Sequence, residues 1–367
     1  MTQASGRGSR HGGACIHEVL ALVFGLLTAF VMAACILPRG GWELDPLVRA
    51  RPELETIEGH RLGDMIPFPS LEGNRVVLVA CRFPADRPIR VAGRGPGWSE
   101  EWAARAVEAM AGALGVVELT FDREGAGGPS GVAPIQVQSL EDPLARGPVG
   151  LADTLSECDV SSAVGSPSEF RGELIRSTIR IRRNRIDFLE ESRAASAEEW
   201  TGALMHELAH ALGFSGHTRS GPSILVLEQS WLRAAGRRAL ASKTWSDPTL
   251  EALYAIPAGQ RLGDRALTAE SISMLDATRS LLESSGSTVP GSIRMISTVG
   301  DRAARILWRR PDGRRLGVRF PRWRDELRSG APVTLVADST TLRWLEEAPA
   351  SGRSFVDGGL DRSGAVD

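Results

Sequence analysis

The fold is decided by SAEEWTGALMHELAHALGF, residues 196–214, which predicts a capped and buried helix. Ser196 and Glu199 stand in the register of a capping box, in which each side chain satisfies a backbone N–H at the start of a helix. Apolar residues then recur at helical spacing: Trp200, Ala203, Leu204, Leu208, Ala211 and Leu212. The sequence therefore places HELAH on a helix that faces the core.

Three of the six histidines lie close together, at positions 206, 210 and 217. Residues four apart lie on one helix face, with Cβ atoms about 5–6 Å apart, so His206 and His210 can both aim a ring nitrogen at one metal ion. Imidazole nitrogens are good zinc ligands, and three protein ligands leave a position for a water molecule, whose pKa zinc lowers from about 15.7 to roughly 7. Glu207 points away from the metal but can reach that water. The motif predicts a Zn2+ site with Glu207 as general base.

The string HELAHALG resembles the metzincin family of zinc endopeptidases, whose pattern is HExxHxxGxxH, and HALGFSG also resembles the leishmanolysin-like branch. The similarity in layout covers about 74–285. It implies an α+β fold, a metzincin-like zincin with a mixed twisted sheet and an active-site helix that carries HExxH. It also implies that an edge strand beside the cleft pairs with a polypeptide substrate, and ELIRSTIRIRR (173–183) is the candidate for that strand.

The third ligand departs from the family spacing, which would place it at position 216. That residue is Gly216, and the histidine follows at 217. A one-residue bulge after Gly213 would still bring His217 onto the metal, which is the leading expectation. In leishmanolysin-like enzymes the third histidine comes later in the chain, and no histidine follows 217 here, so that arrangement would need a carboxylate such as Asp247. Glu228, placed roughly as in glutamate-ligated zinc peptidases, is the other alternative.

The family also has a methionine-containing turn under the metal, which this sequence does not show. The first methionines after the histidine motif are Met274 and Met295, and each is more simply a core residue. A turn near EALYAIP (251–257) is the alternative, with Leu253 in place of the methionine. Tyr254 would then face the site, although a half-buried structural tyrosine is the simpler interpretation.

Composition and targeting signals limit the class of protein to which this chain can belong. A net charge of -2 with 24 % charged residues gives no reason to expect nucleic-acid binding. Basic residues precede an apolar stretch at 19–34, and MAAC at 32–35 resembles a bacterial lipobox. We expect an exported protein of the cell envelope, anchored to the membrane by a lipid on Cys35 or otherwise secreted; an uncleaved transmembrane helix is the main alternative, although 16 apolar residues fall short of the ~20 that span a bilayer. Cys81 and Cys158 remain in the mature chain and predict one disulfide.

The expected organisation has five parts. They are a lipoprotein-type signal (1–35), a linker or pro-like segment (36–73), the metzincin-like catalytic domain (74–289), a small β-rich appendage (290–346) and a disordered tail (347–367). Within the second half, patterning predicts further helices at 223–236 and 267–284 and a hairpin at 304–320. Strands are predicted at 74–83, 116–122, 134–140 and 173–183.

The sequence thus predicts a monomeric, exported zinc endopeptidase with His206, His210 and His217 as ligands and Glu207 as general base. The first alternative is a surface lipoprotein that binds zinc or a protein partner without cleaving. The second is a structural envelope protein whose histidines are core residues. Intact Glu207 disfavours the first alternative, and the clustering of three histidines disfavours the second.

Overall fold

The computed structural model describes residues 68–114, 118–122, 133–141, 152–163, 166–186, 192–214, 216–217, 223–226, 228–284, 294–300, 304–309, 315–321 and 331–347. The predicted signal segment (1–35), the linker up to residue 67 and the tail from residue 348 lie outside these residues. No helix in the described ranges is long and apolar enough to cross a membrane.

The described chain combines strands and helices. The strands are β1 (Phe68–Glu72), β2 (Arg75–Val79), β3 (Ile89–Arg94), β4 (Leu119–Phe121), β5 (Ile135–Leu140), β6 (Ala152–Asp159), β7 (Ser162–Ala163), β8 (Ser166–Phe170), β9 (Glu173–Arg182), β10 (Asn184–Ile186), β11 (Ser192–Ala194), β12 (Arg261–Ala266), β13 (Arg294–Gly300), β14 (Ala304–Arg309), β15 (Arg315–Phe320) and β16 (Val336–Ala337). The helices are α1 (Glu100–Leu114), α2 (Ala197–Ala211), α3 (Gln229–Leu240), α4 (Pro248–Tyr254), α5 (Ala269–Ser284) and α6 (Ser339–Glu347).

Nine strands of the described residues form a mixed sheet at the centre, in the order β16-β15-β14-β13-β6-β9-β5-β3-β4. Strands β4, β3, β5 and β9 are parallel neighbours, whereas β6 and the strands beyond it pair antiparallel. Helices α1 and α2 pack on the sheet, and α3 packs against both of them. The described residues thus combine helices with a mixed sheet, which is compatible with the expected α+β class.

Helix α2 is predicted correctly, including its capping box at Ser196 and Glu199. It is buried on nearly all sides, because α3 approaches it closely at two glycines. A Cβ at Gly202 would lie 1.9 Å from the carbonyl oxygen of Leu232, and one at Gly236 would lie 2.0 Å from that of Glu198. This contact between backbones fixes α2 between the sheet and α3.

The strand predictions are partly wrong. The predicted segments are present as β2, β4, β5 and β9, but β3 and β6 lie outside every predicted strand. Strand β6 lacks the apolar alternation of a half-buried strand because its inward-facing residues include Thr154 and Ser156. Ser156 lies 3.5 Å from the carbonyl oxygen of His210, so this face of β6 meets polar groups of α2.

A second sheet of three strands, β1-β2-β12, lies beside the first, with β1 against β13 and β14. The predicted strand 74–83 belongs here, as β2. The two sheets are tied together by the predicted disulfide, because Cys81 just beyond β2 is bonded to Cys158 in β6, with a Cα–Cα distance of 6.2 Å.

The segment 290–346 is β-rich as predicted, but it is not a separate appendage. Strand β13 pairs with β6 over five residue pairs, from Ile296 opposite Asp159 to Gly300 opposite Leu155. Strands β14, β15 and β16 then extend the same sheet, and the described residues all belong to one compact unit, Gly41–Asp367. The predicted hairpin at 304–320 is present as β14 and β15.

The predicted helix at 223–236 is shifted. Helix α3 begins only at Gln229 and continues to Leu240, while 223–226 form a turn. The helix predicted at 267–284 is α5, and the hydroxyl of Thr268 accepts a hydrogen bond from the N–H of Ser271 at 3.3 Å, as expected of its cap.

Candidate metal centre

Helix α2 presents His206 and His210 one turn apart on the same face. Each residue has only 6 % of its surface exposed. The ring centroids are 4.6 Å apart with the planes at 90°, and the two Nε2 atoms face each other at 3.0 Å. The helix therefore supplies two nitrogens that converge on one point, as the spacing predicts.

The end of α2 returns the chain towards this point through a Schellman motif. Gly213 has a φ of +111°, and its N–H donates to the carbonyl of His210 at 3.0 Å. The N–H of Phe214 donates to the carbonyl of Ala209 at 3.3 Å. The turn needs glycine because a residue with a side chain rarely adopts this φ.

His217 lies at the metal centre together with the two helical histidines. Its Nε2 is 3.2 Å from that of His210, and its ring stacks on that of His206 at a centroid distance of 5.1 Å. The candidate ligand atoms of the three residues all lie within 4.8 Å of one another, and within the described residues no carboxylate belongs to this group. The shifted spacing thus still brings His217 to the other two.

The opposite ring nitrogens fix the protonation pattern of the helical histidines. Nδ1 of His206 lies 2.7 Å from the carbonyl oxygen of Ile224, and Nδ1 of His210 lies against that of Phe214. A carbonyl oxygen only accepts, so each Nδ1 carries the proton, and in the neutral ring Nε2 then carries the lone pair. If both rings are neutral, the two lone pairs facing each other at 3.0 Å repel, and a shared proton or a bound metal ion would offset that repulsion.

This donor set fits zinc. Zinc binds histidine nitrogen at about 2.0–2.1 Å in tetrahedral geometry, which places two ligand nitrogens roughly 3.3 Å apart. The two Nε2 separations of 3.0 and 3.2 Å are close to that value. Buried carbonyl partners on Nδ1 are also typical of ligating histidines, because they orient the ring and raise its basicity.

Glu207 lies beside the histidines and is held by strand β6. The hydroxyl of Thr154 donates to Oε2 of Glu207 at 2.5 Å and lies 3.3 Å from its backbone carbonyl oxygen. Only 6 % of the surface of Glu207 is exposed. Strand β6 thus holds the carboxylate, which does not belong to the group of candidate ligands.

Asp247, an alternative third ligand, has a different position. Its carboxylate is fully buried and accepts from the N–H of Ile224 at 2.7 Å and from the N–H of Leu250 at 3.1 Å. Burial raises the pKa of this carboxyl, and the hydrogen bonds with backbone N–H groups oppose that shift. Since the carbonyl of Ile224 holds His206, Asp247 supports a ligand indirectly.

Glu228, the other alternative, is exposed at the start of α3. Its Oε1 accepts a hydrogen bond from the hydroxyl of Ser230. Like Asp247, it lies outside the group of candidate ligands.

Arg82 is a buried residue at this centre that the sequence analysis missed. Its guanidinium donates to the carbonyls of Cys81, at 2.7 Å, and of Leu253, and it lies over the rings of Phe214 and Tyr254, 4.8 and 5.0 Å from their centroids. Burial lowers the pKa of Arg82 to about 10, slightly offset by the charge of Tyr254. A lone arginine inside the apolar run VVLVACRF was the available signal. Because Phe214 holds His210, Arg82 supports the turn that carries the ligands.

The turn near 251–257, proposed in place of the methionine turn, packs around Arg82 and Phe214 rather than against the histidines. Leu253 is fully buried and offers its carbonyl to Arg82, while Tyr254 packs edge-on against Phe214 at 6.2 Å. Burial raises the pKa of the Tyr254 hydroxyl, and the charge of Arg82 opposes that shift. Met274 and Met295 are half-buried against the core, as predicted.

The edge-strand prediction is wrong. ELIRSTIRIRR forms β9, which lies between β5 and β6 inside the sheet. Its arginines lie on an exposed face and pair with the carboxylates of β6, Arg176 with Glu157 at 2.6 Å and Arg180 with Asp153 at 2.7 Å. The strand that contacts Glu207 is β6.

Comparisons with known proteins provide no relative: no protein-family model matches the chain, and no curated protein and no solved structure matches it either.

Proposed function

We propose that this protein is a zinc-dependent peptidase with a metzincin-like catalytic centre. The observation that carries the proposal is the convergence of three histidine Nε2 atoms, two of them on rings whose Nδ1 atoms lie against backbone carbonyls, on a helix that also carries the buried Glu207. His206, His210 and His217 would hold the ion. Zinc in such a site supplies Lewis-acid chemistry, which activates water near neutral pH and polarises a carbonyl group.

Glu207 is the proton carrier in this proposal. It would accept the proton of the attacking water and deliver it to the nitrogen of the departing amine. The hydroxyl of Thr154 fixes the direction of the carboxylate, so that Glu207 does not need to reorient during the reaction. The carbonyls of Ile224 and Phe214 fix the rings of His206 and His210 in the same way.

The strand order supports the metzincin-like comparison. Among the described residues, strand β3, helix α1 and four further strands of the central sheet precede α2, and β6 is the only antiparallel member of the group β3, β4, β5, β6 and β9. The buried disulfide supports the proposed export, because disulfides persist in oxidising compartments. Anchoring of an exported monomer through Cys35 belongs to the same proposal.

Zinc analysis and hydrolysis assays on purified protein test the proposal. We expect one zinc per chain and cleavage of an unfolded protein substrate. Glu207→Gln should keep the zinc and lose about 10²–10⁴-fold in rate. Glu198→Gln is the matched control, because Glu198 lies on the same helix but forms surface ion pairs with Arg233 and Arg237.

The outcomes separate the candidate functions. Zinc without hydrolysis in the wild type would favour a binding protein, and absence of zinc would favour a structural role for the histidines. Equal activity of the wild type and Glu207→Gln would contradict the proposed mechanism.

A further inference from the structure

The edge of strand β6 that faces away from β9 has two parts. Residues Leu155–Asp159 pair with β13, which lies where an added peptide strand would bind. Residues 152–154 pair with β9 on one side, and within the described ranges no strand pairs with their other side. The stretch 152–154, which β13 does not cover, ends at Thr154, and Thr154 contacts Glu207.

The hairpin of β13 and β14 ends beside this short edge. Val299 pairs with Ala304, so the chain reverses directly after β13, and Gly300 is the last residue that pairs with β6. A Cβ at Gly300 would lie 3.4 Å from the carbonyl oxygen of Thr154. The end of the hairpin therefore lies within one residue of the strand position that contacts the catalytic base.

The hairpin is anchored firmly in the fold. Ser297 and Val299 of β13 are buried, and β14 pairs along its whole length with β15. Strand β1 lies against both β13 and β14, and the N–H of Val160, just beyond β6, donates to the carbonyl of Met295 in β13 at 2.9 Å. A substrate could not displace β13 without breaking these contacts.

A peptide can bind by adding a strand to an exposed sheet edge, with its backbone as the main contact. Antiparallel addition is slightly more stable per residue than parallel addition. A peptide added antiparallel to residues 152–154 would run in the same direction as β13, with its amino end facing Gly300. Because a strand rises about 3.4 Å per residue, only one or two peptide residues fit between the hairpin and a bond opposite Thr154.

We propose that the hairpin of β13 and β14 restricts the peptidase to the amino ends of polypeptides, from which it removes one or two residues at a time. This inference rests on the proposed function and replaces the endopeptidase activity that the sequence resemblance implies with an exopeptidase activity at the same site. The substrate is a peptide with an accessible amino terminus, bound on the edge at 152–154.

The test compares a linear peptide with the same sequence closed head to tail, using zinc-loaded protein and mass spectrometry of the products. We expect stepwise loss of residues from the amino end of the linear peptide, about 100-fold faster than any opening of the ring. Internal cuts, loss from the carboxyl end or equal cleavage of the ring would overturn the proposal.

A binding measurement separates this inference from the proposed function. If wild-type protein hydrolyses neither peptide, the proposed function fails, and binding of fluorescent linear and cyclic peptides to Glu207→Gln still tests the edge. Binding of the linear peptide at least about 10-fold tighter supports the restriction. Equal binding of both peptides, or binding of neither, refutes it.

Discussion

Replacing Gly213 with alanine should abolish tight zinc binding while the sheet stays folded. A φ of +111° costs a residue with a side chain about 1–3 kcal/mol. The added Cβ would also lie 2.4 Å from the carbonyl oxygen of Cys81, whereas ordinary contact begins at 3.4 Å. The turn must therefore move by about 1 Å, several times the roughly 0.2 Å over which zinc–ligand distances are held.

This movement would disturb two ligands together, because Phe214 holds His210 and the same turn delivers His217. We expect zinc affinity to fall by about 100-fold, the upper end of the loss when the support of a ligand is removed. Competition with a chromophoric chelator measures the dissociation constant, and circular dichroism checks the fold.

Gly73→Ala is the matched control, since Gly73 also has a positive φ, of +54°, but a Cβ there would have no atom within 4 Å. This variant should lose some stability and keep its zinc affinity. Wild-type zinc affinity in a folded Gly213→Ala protein would refute the reasoning.

Three further changes test residues that support the candidate metal centre or the fold around it. Asp247→Asn should weaken zinc binding by about 10–100-fold, because one of the two backbone N–H groups that Asp247 accepts from would then face an amide donor. Asp338→Asn is the control: it changes the cap of α6 and should leave the zinc dissociation constant unaltered. Thr154→Val should keep full zinc occupancy and slow hydrolysis by about 10-fold or more, as expected for a lost hydrogen bond to a charged group; an unchanged rate constant would remove the threonine from the site. Replacing Cys81 and Cys158 together with alanine should lower the free energy of unfolding by about 4 kcal/mol in urea titrations, and a difference near zero would show that the bridge adds no constraint.

The ligand helix was predictable because several local signals agreed at α2. The capping box at Ser196, the apolar spacing and Gly213 as a terminator each act over a few residues, and all are present. The position of His217 was predictable only as one of several alternatives. Nothing in the spacing shows how far the chain turns after Gly213, and that path depends on contacts with Arg82, which is distant in sequence.

Strand β6 shows where sequence patterns fail. A half-buried strand is recognised by apolar alternation, but β6 turns Thr154 and Ser156 inward to meet Glu207 and the end of α2. These polar contacts with α2 thus removed the apolar pattern that would have revealed the strand. The sequence also did not reveal that 290–346 extends the central sheet, because pairing of β13 with β6 joins segments more than a hundred residues apart.

The same long-range pairing governs when the metal centre can assemble. Strand β2, which leads directly into Arg82, lies between β1 and β12, and the ion pair of Arg75 with Asp264 across β2 and β12 spans 189 residues. A growing chain that has already produced all three histidines still lacks Asp247, α4 and β12, so Arg82 lacks its contacts with Leu253 and Tyr254. Competence to hold zinc should therefore arise late, only after most of the polypeptide has been synthesised.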